Sequence, residues 1–157
     1  MAAGRSRRAG RSLSVGGIVL DTNLVSEPKR PTPDAKVVAW YARQPAGSLY
    51  LTSTVVAELS FGIELLPAGR RRRGFEAWLS ERVLRLFEGR ILPFEVEDAV
   101  LYGRLMAAAR RQDRPARVGD AEIAAVAMRH GFALATRNTE HFAGFGVPLL
   151  NPWQDTA

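Results

Sequence analysis

Short apolar runs rich in β-branched residues alternate along this chain with longer stretches of helical periodicity. Gly17-Ile18-Val19-Leu20 ends abruptly in Asp21-Thr22-Asn23, which predicts a buried strand opening onto a polar turn. Pro28, Pro31 and Pro33 punctuate the next loop, and Asp34 is placed to cap a helix over 35–44 whose Val37, Trp40 and Tyr41 share one face. Leu49-Tyr50-Leu51-Thr52 predicts a second strand. Ser53 or Thr54 then caps a helix over 54–66, with Val55, Leu59 and the run Phe61 to Leu66 facing inward until Pro67 and Gly69 stop it.

The second half repeats the alternation. A helix is predicted over 75–88, a brief strand over Ile91-Leu92-Pro93-Phe94 whose Pro93 suits a sheet edge, and an amphipathic helix over 97–111. A basic loop, Arg114 to Val118, leads into a helix that begins near Asp120 and closes at His130 and Gly131. Phe132 to Thr136 is a strand ending in the polar pair Arg137-Asn138, and Val147 to Leu150 is the last strand. Strands alternating with helices predict an α/β fold, a three-layer α/β/α sandwich with a mostly parallel central sheet. With 157 residues, 46% of them hydrophobic, one domain over 18–154 is expected, without internal repeat or linker.

Composition narrows the chemistry. There is no cysteine, which excludes disulfides, thiolate catalysis and sulfur-ligated zinc, so any metal must be held by oxygen or imidazole. No apolar run approaches the roughly 18 residues of a membrane span, so a soluble, cytoplasmic protein without membrane partners is expected. The net charge of +6 suggests polyanions, but subtracting Arg5, Arg7, Arg8 and Arg11 of the leader leaves +2. Residues 1–17 are Arg-rich and acid-free but lack the apolar segment of a secretory signal, and read as a disordered basic leader or a start codon placed too early. The block Arg70 to Arg73 can meet phosphates, or can be a solvated loop or helix end.

In open α/β sheets ligands bind beyond the carboxyl ends of strands where strand order reverses, which draws attention to Asp21 and to Thr136-Arg137-Asn138. A Mg²⁺ or Mn²⁺ site needs hard oxygen donors from separate elements, and Asp21, Glu58 and Asp120 are candidates. Each also has an ordinary reading: Asp21 as a turn residue, Glu58 as a solvated helix residue, Asp120 as a helix cap. No nucleotide-binding glycine loop, GxSxG elbow or HExxH helix is present.

The three acids lie within Leu20-Asp21-Thr22-Asn23-Leu24-Val25-Ser26-Glu27, Thr54-Val-Val-Ala-Glu58-Leu59 and Gly119-Asp120-Ala-Glu-Ile123-Ala-Ala, followed by Thr136-Arg137-Asn138. From Ile18 to Trp153, in this order, these motifs resemble those of PIN-domain ribonucleases, specifically VapC toxins of the FitB-like kind. The resemblance implies a magnesium-dependent endoribonuclease, with Mn²⁺ as a substitute, that hydrolyses RNA by a metal-activated water and leaves 5′-phosphate and 3′-hydroxyl ends. It implies that Asp21, Glu58 and Asp120 form the catalytic metal site, and that Asn23, Thr136, Arg137 and Asn138 support it or position substrate. Where the family often has a fourth Asp, this chain has His141, beside Glu140; it can contact a water or phosphate, or simply lie on a helix surface. The implied partners are RNA, a cognate antitoxin whose C-terminal segment lies near the active site, and a second copy of the chain in a homodimer. Val37, Trp40, Tyr41 and Phe61 are candidate partner-facing residues. Two other readings stay open: a degenerate PIN domain that binds RNA or protein without cutting, and a PIN nuclease outside toxin–antitoxin biology.

Overall fold

The computed structural model describes residues 16–155. Five strands, β1 (Ile18–Leu20), β2 (Leu49–Thr52), β3 (Ile91–Leu92), β4 (Ala133–Ala135) and β5 (Leu149–Leu150), form one sheet in the order β3-β2-β1-β4-β5, with every neighbouring pair parallel. The helices are α1 (Thr22–Ser26), α2 (Ala35–Arg43), α3 (Ser53–Glu64), α4 (Arg70–Ala77), α5 (Leu84–Leu86), α6 (Val96–Arg111), α7 (Val118–Arg129) and α8 (Thr139–Phe142). The chain moves outward from β1 through β2 to β3, then crosses to the other side of β1 for β4 and β5. The reversal of strand order therefore falls between β1 and β4.

The strands are short, yet β1 and β4 are almost wholly buried, as expected for a parallel sheet covered on both faces. Val19, Leu20, Leu51 and Leu134 form the middle of a core completed by Val37, Trp40, Val55, Ile123 and Phe142. Helix α7 is buried over Ala121 and Ile123 to Ala127; its alanines let it pack closely against its neighbours, and that places its first turn beside the sheet edge. Across the α6–α7 contact, fully buried Asp98 accepts hydrogen bonds from Arg129 and from the Glu95 N–H, which closes a capping box at the start of α6. Burial pushes the Asp98 carboxyl up, but its bonds to Arg129 and the Glu95 backbone outweigh this and hold it below the usual range.

Several boundaries differ from expectation. Asp21 does not end in an open turn: it caps a one-turn helix, α1. Thr52, not Ser53 or Thr54, caps α3, because β2 hands over to the helix without a loop and the Thr52 hydroxyl accepts the Val55 N–H at 3.2 Å. Phe61 and Leu65 do not face inward; they are 65% and 69% exposed, because α3 buries only the stripe Val55, Leu59, Ile63. The helix expected over 75–88 begins at Arg70, so the arginine block is helical, and it passes through a π-helical turn at Trp78–Val83. Helix α7 starts at Val118 behind Arg117, which puts Asp120 inside its first turn rather than at the cap. The Asp34 cap of α2 and the edge position of β3 are as predicted, but the strand stops at Leu92, since Pro93 has no N–H to carry the ladder on to Phe94.

The leader expected over 1–17 lies outside the described residues except for its last two glycines. Gly17 is buried, and a methyl group on it would come within 2.8 Å of the Tyr50 ring and 2.9 Å of the Phe132 ring, which pack together with centroids 4.7 Å apart. Gly17→Ala should therefore destabilise the fold by about 1–3 kcal/mol through overpacking, measured by urea denaturation. Parental stability in that variant would show the aromatic pair to be loosely seated.

Candidate metal centre

Because Leu20 pairs with Ala135 in register, Asp21 and Thr136 follow as neighbours at the carboxyl ends of the two central strands. The Asp21 N–H continues the ladder to Ala135 O at 2.9 Å. Its side chain is 6% exposed, with Oδ1 accepting the Thr22 N–H at 2.8 Å and Oδ2 accepting the Thr136 hydroxyl at 2.7 Å. Asp21 is thus held from both strands. The Thr22 hydroxyl donates to Glu58 Oε2, which ties α3 to the same strand end. From the third side, α7 brings Gly119 against the Glu58 carboxylate: a Cβ on Gly119 would lie 2.5 Å from Glu58 Oε1. Asp120 follows at once.

Charge and burial at this edge are poorly matched. Burial pushes the Asp21 carboxyl up, and its hydrogen bonds from Thr136 and Thr22 only partly offset this. Burial also raises Glu58, opposed by the Thr22 hydrogen bond and reinforced by repulsion from Asp21, Asp120 and Glu122. Asp120 is raised by burial and by Asp21, against weaker pulls from His141 and Arg117. The three acids therefore sense one another. Asp120 Oδ2 and Asn23 Oδ1 are buried without a hydrogen-bond partner. Orphaned oxygens among mutually repelling carboxylates, with no sulfur donor in the chain, suit a hard divalent cation. As the side chains stand, no three His, Asp or Glu among the described residues form a ready-made ion site.

The remaining predicted residues take distinct places. His141 lies on α8 with Nδ1 3.5 Å from Asp120 Oδ2, its side chain 40% exposed, so it pairs with the site rather than facing away from it. Asn138 donates its N–H to the Thr136 hydroxyl at 3.0 Å and so steadies the group that holds Asp21. Arg137 is turned outward, its guanidinium carbon 5.6 Å from the Trp153 ring centroid. Three further residues emerge only in three dimensions: Thr22, Gly119 and Glu122, the last accepting the Thr54 hydroxyl at 3.0 Å. Thr22 and Gly119 adjoin predicted acids in sequence. Glu122 stands two positions from Asp120, a spacing that puts residues on different helix faces, so no periodicity argument selects it.

An α/β/α sandwich with its acids gathered at the strand-order reversal is the class that fold and site define. The PIN domain family matches residues 18–146, and the chain belongs to that family. It is 43% identical over 137 residues to the VapC ribonuclease Y4jK of Sinorhizobium fredii, covering 87% of this chain and 98% of that one. It is 39% identical over 138 residues to the toxin FitB of Neisseria gonorrhoeae, covering 88% and 99%. Among solved structures, FitAB bound to a DNA fragment superimposes with a TM-score of 0.83 at 36% identity, covering 89% of this chain and 98% of that one.

A folded-state pKa raised above the ordinary 3.8 of Asp or 4.5 of Glu means that the native state prefers the protonated acid. For these three groups, then, stability is greatest below the ordinary values and is lost as pH rises through the raised ones, whereas the contribution of Asp98 is lost only as pH falls below 3.8. Asp120→Asn should raise the melting temperature of the metal-free protein at neutral pH and flatten its decline as pH rises above the ordinary Asp range, followed by scanning calorimetry with chelator. A variant that melts below the parent at neutral pH would mean that repulsion does not dominate at Asp120.

Proposed function

We propose that the protein is a divalent-metal-dependent endoribonuclease, the toxin of a toxin–antitoxin pair, with Asp21, Glu58 and Asp120 as its catalytic and metal-holding residues. The observation that carries this reading is the gathering of one buried and two half-buried carboxylates at the end of the central strands, with repulsion at Glu58 and Asp120 and an Asp120 oxygen that accepts no hydrogen bond. Similarity to a VapC ribonuclease and to the toxin FitB supports the substrate class and the toxin assignment. Magnesium fits the donor set: it prefers carboxylate and water and keeps much of its hydration, and the chain offers carboxylates here and no thiolate. Mn²⁺ has similar tastes and should substitute.

When bound there, the cation supplies charge neutralisation for the phosphodiester and acidifies a water for attack. The protein's own groups do the positioning. Thr136 and the Thr22 N–H fix both oxygens of Asp21, so the carboxylate cannot swing when substrate arrives. Thr22 aims Glu58, and the bare Cα of Gly119 leaves room for it. Arg117 places positive charge on the Asp120 side, where an RNA phosphate would otherwise meet only acids, and the His141 ring stands on the same side. Partner binding fits an apolar cleft of about 350 Å³ lined by Val25, Val38, Tyr41, Leu86 and Phe87 and bounded by Trp78 and Arg82, with Val38 and Leu86 more than half exposed. Of the candidate partner-facing residues, Val37 and Trp40 are core, Tyr41 is half-buried with its hydroxyl on Leu24 O, and Phe61 is exposed. An antitoxin segment or a second copy of the chain would dock on this side.

Asp21→Asn and Asp120→Asn should each lower RNA cleavage by on the order of 10²-fold or more, while Asp113→Asn, in an exposed turn, should do little. The assay is cleavage of a structured RNA pool by purified, antitoxin-free protein with Mg²⁺, Mn²⁺ or chelator, each variant first checked for a cooperative melt. Cleavage that survives chelation, or a fully active Asp21→Asn, would refute the metal-nuclease reading. A parent inactive with every metal yet tightly bound to RNA would favour the non-cutting module.

Gly119→Ala should keep or raise the melting temperature, since alanine suits a helix and the clash falls on the end of a flexible side chain. Its cleavage rate should fall by about 10- to 100-fold as Glu58 is displaced. Full activity would show that Glu58 tolerates displacement.

A further inference from the structure

The arginine block at the start of α4 conflicts with its own helix. Four cations occupy the first turn, where the helix dipole disfavours positive charge, and Gly69 offers no side-chain cap. Arg72 is neutralised by Glu64 and by Glu76, the latter at 2.8 Å. Among the described residues, Arg70, Arg71 and Arg73 make no ion pair. Local rules broken without local compensation point to a use elsewhere.

That use is suggested by where Arg71 lies. A cleft of about 270 Å³ begins at Thr22 and Glu58 and runs past Arg71 and Phe75 to Trp78. There it meets a second cleft of about 420 Å³ that carries Lys29 and Arg82, with Glu81 the one acid on its wall. Two cations flank one ring along this path: Lys29 Nζ lies 5.6 Å and the Arg71 guanidinium carbon 5.9 Å from the Phe75 centroid. Phe75 and Trp78, edge to face at 6.1 Å, are both half-buried, and Trp78 opens the π-helical turn.

We propose that this path is a track for single-stranded RNA, leading unpaired nucleotides away from the catalytic acids. The proposal rests on the ribonuclease reading. Lys29 and Arg71 would pair with successive phosphates, and Phe75 and Trp78 would take the face of a base, displacing one cation from the ring onto the backbone that accompanies it. Duplex RNA would gain little, because its bases are already stacked and cannot reach an aromatic floor. The apolar cleft shares Pro28, Trp78 and Arg82 with this path; what the path adds is Lys29 and Arg71 beside the Phe75 ring and an end at Glu58.

The test uses the full chain carrying Asp21→Asn, so that RNA is bound and not consumed. Fluorescence anisotropy would compare a labelled single strand of about a dozen nucleotides with the same sequence as a duplex, at several salt concentrations. The single strand should bind more tightly. Adding Phe75→Leu should weaken it by at least about 5-fold and reduce the preference over duplex. Adding Arg71→Gln should make the slope of log affinity against log salt shallower by about 0.7, the value for one phosphate contact on a single strand. All proteins should melt as the Asp21→Asn reference does. Equal binding of single strand and duplex, or unchanged single-strand binding in both added variants, would overturn the track; if the parent chain cleaves RNA all the same, the ribonuclease reading stands without it. Phe75-dependent binding by a chain that never cleaves would keep the track and remove the nuclease. Loss confined to antitoxin binding would assign the cleft to a protein and overturn the proposal.

Discussion

The hydrogen bond from the Thr136 hydroxyl to Asp21 joins the ends of the two strands between which the sheet reverses its order. Parallel strands on either side of that point send their chains to different places, and the crevice left between them has no backbone to fill it. Buried polar atoms there must find side-chain partners. Thr136 serves Asp21, Asn138 serves Thr136, and Thr22 serves Glu58, so a chain of small polar contacts holds α1, α3 and β4 around one point. The rest of the site inherits its geometry from that chain.

What the contacts do not supply is positive charge. Burial pushes all three acids up, repulsion adds to it at Glu58 and Asp120, and the hydrogen bonds and nearby basic groups answer only part of this. The cost is borne by the surrounding core, above all by α7, whose buried alanines clamp the helix where Asp120 must be. On the metal-site reading, like charges already held together by the fold are the preorganisation that a cation would use.

Charge is arranged in two zones. The acids lie inward at the strand ends, while Arg71 lies along the cleft that starts at Glu58 and Lys29 and Arg82 along the one that adjoins it at Trp78. A polyanion approaching this molecule would be drawn to the outer zone and meet the acids only where an intervening cation makes them attractive. The +6 of the whole chain conveys none of this, since four of its charges lie in the leader.

By itself the sequence determined the layers and the parallel sheet, and it singled out three acids that the fold brings to the carboxyl ends of the strands. Hydrophobic periodicity reports burial, strands end visibly where apolar runs meet Asp21 or Thr136, and motif order carried the family resemblance. Contacts across the molecule lay beyond it. That Leu20 pairs with Ala135, and so sets Asp21 beside Thr136, depends on strand order, which no local pattern encodes. Helix ends were misplaced where local chemistry allowed several caps, as at Thr52 and Arg117, and the inward run Phe61 to Leu66 failed because α3 has only one covered face. Glu122, the Gly119 gap over Glu58, and the separation of Arg72 from the other arginines are products of tertiary packing. Sequence spacing fixes which residues share an element's face; only the packed fold decides what that face meets.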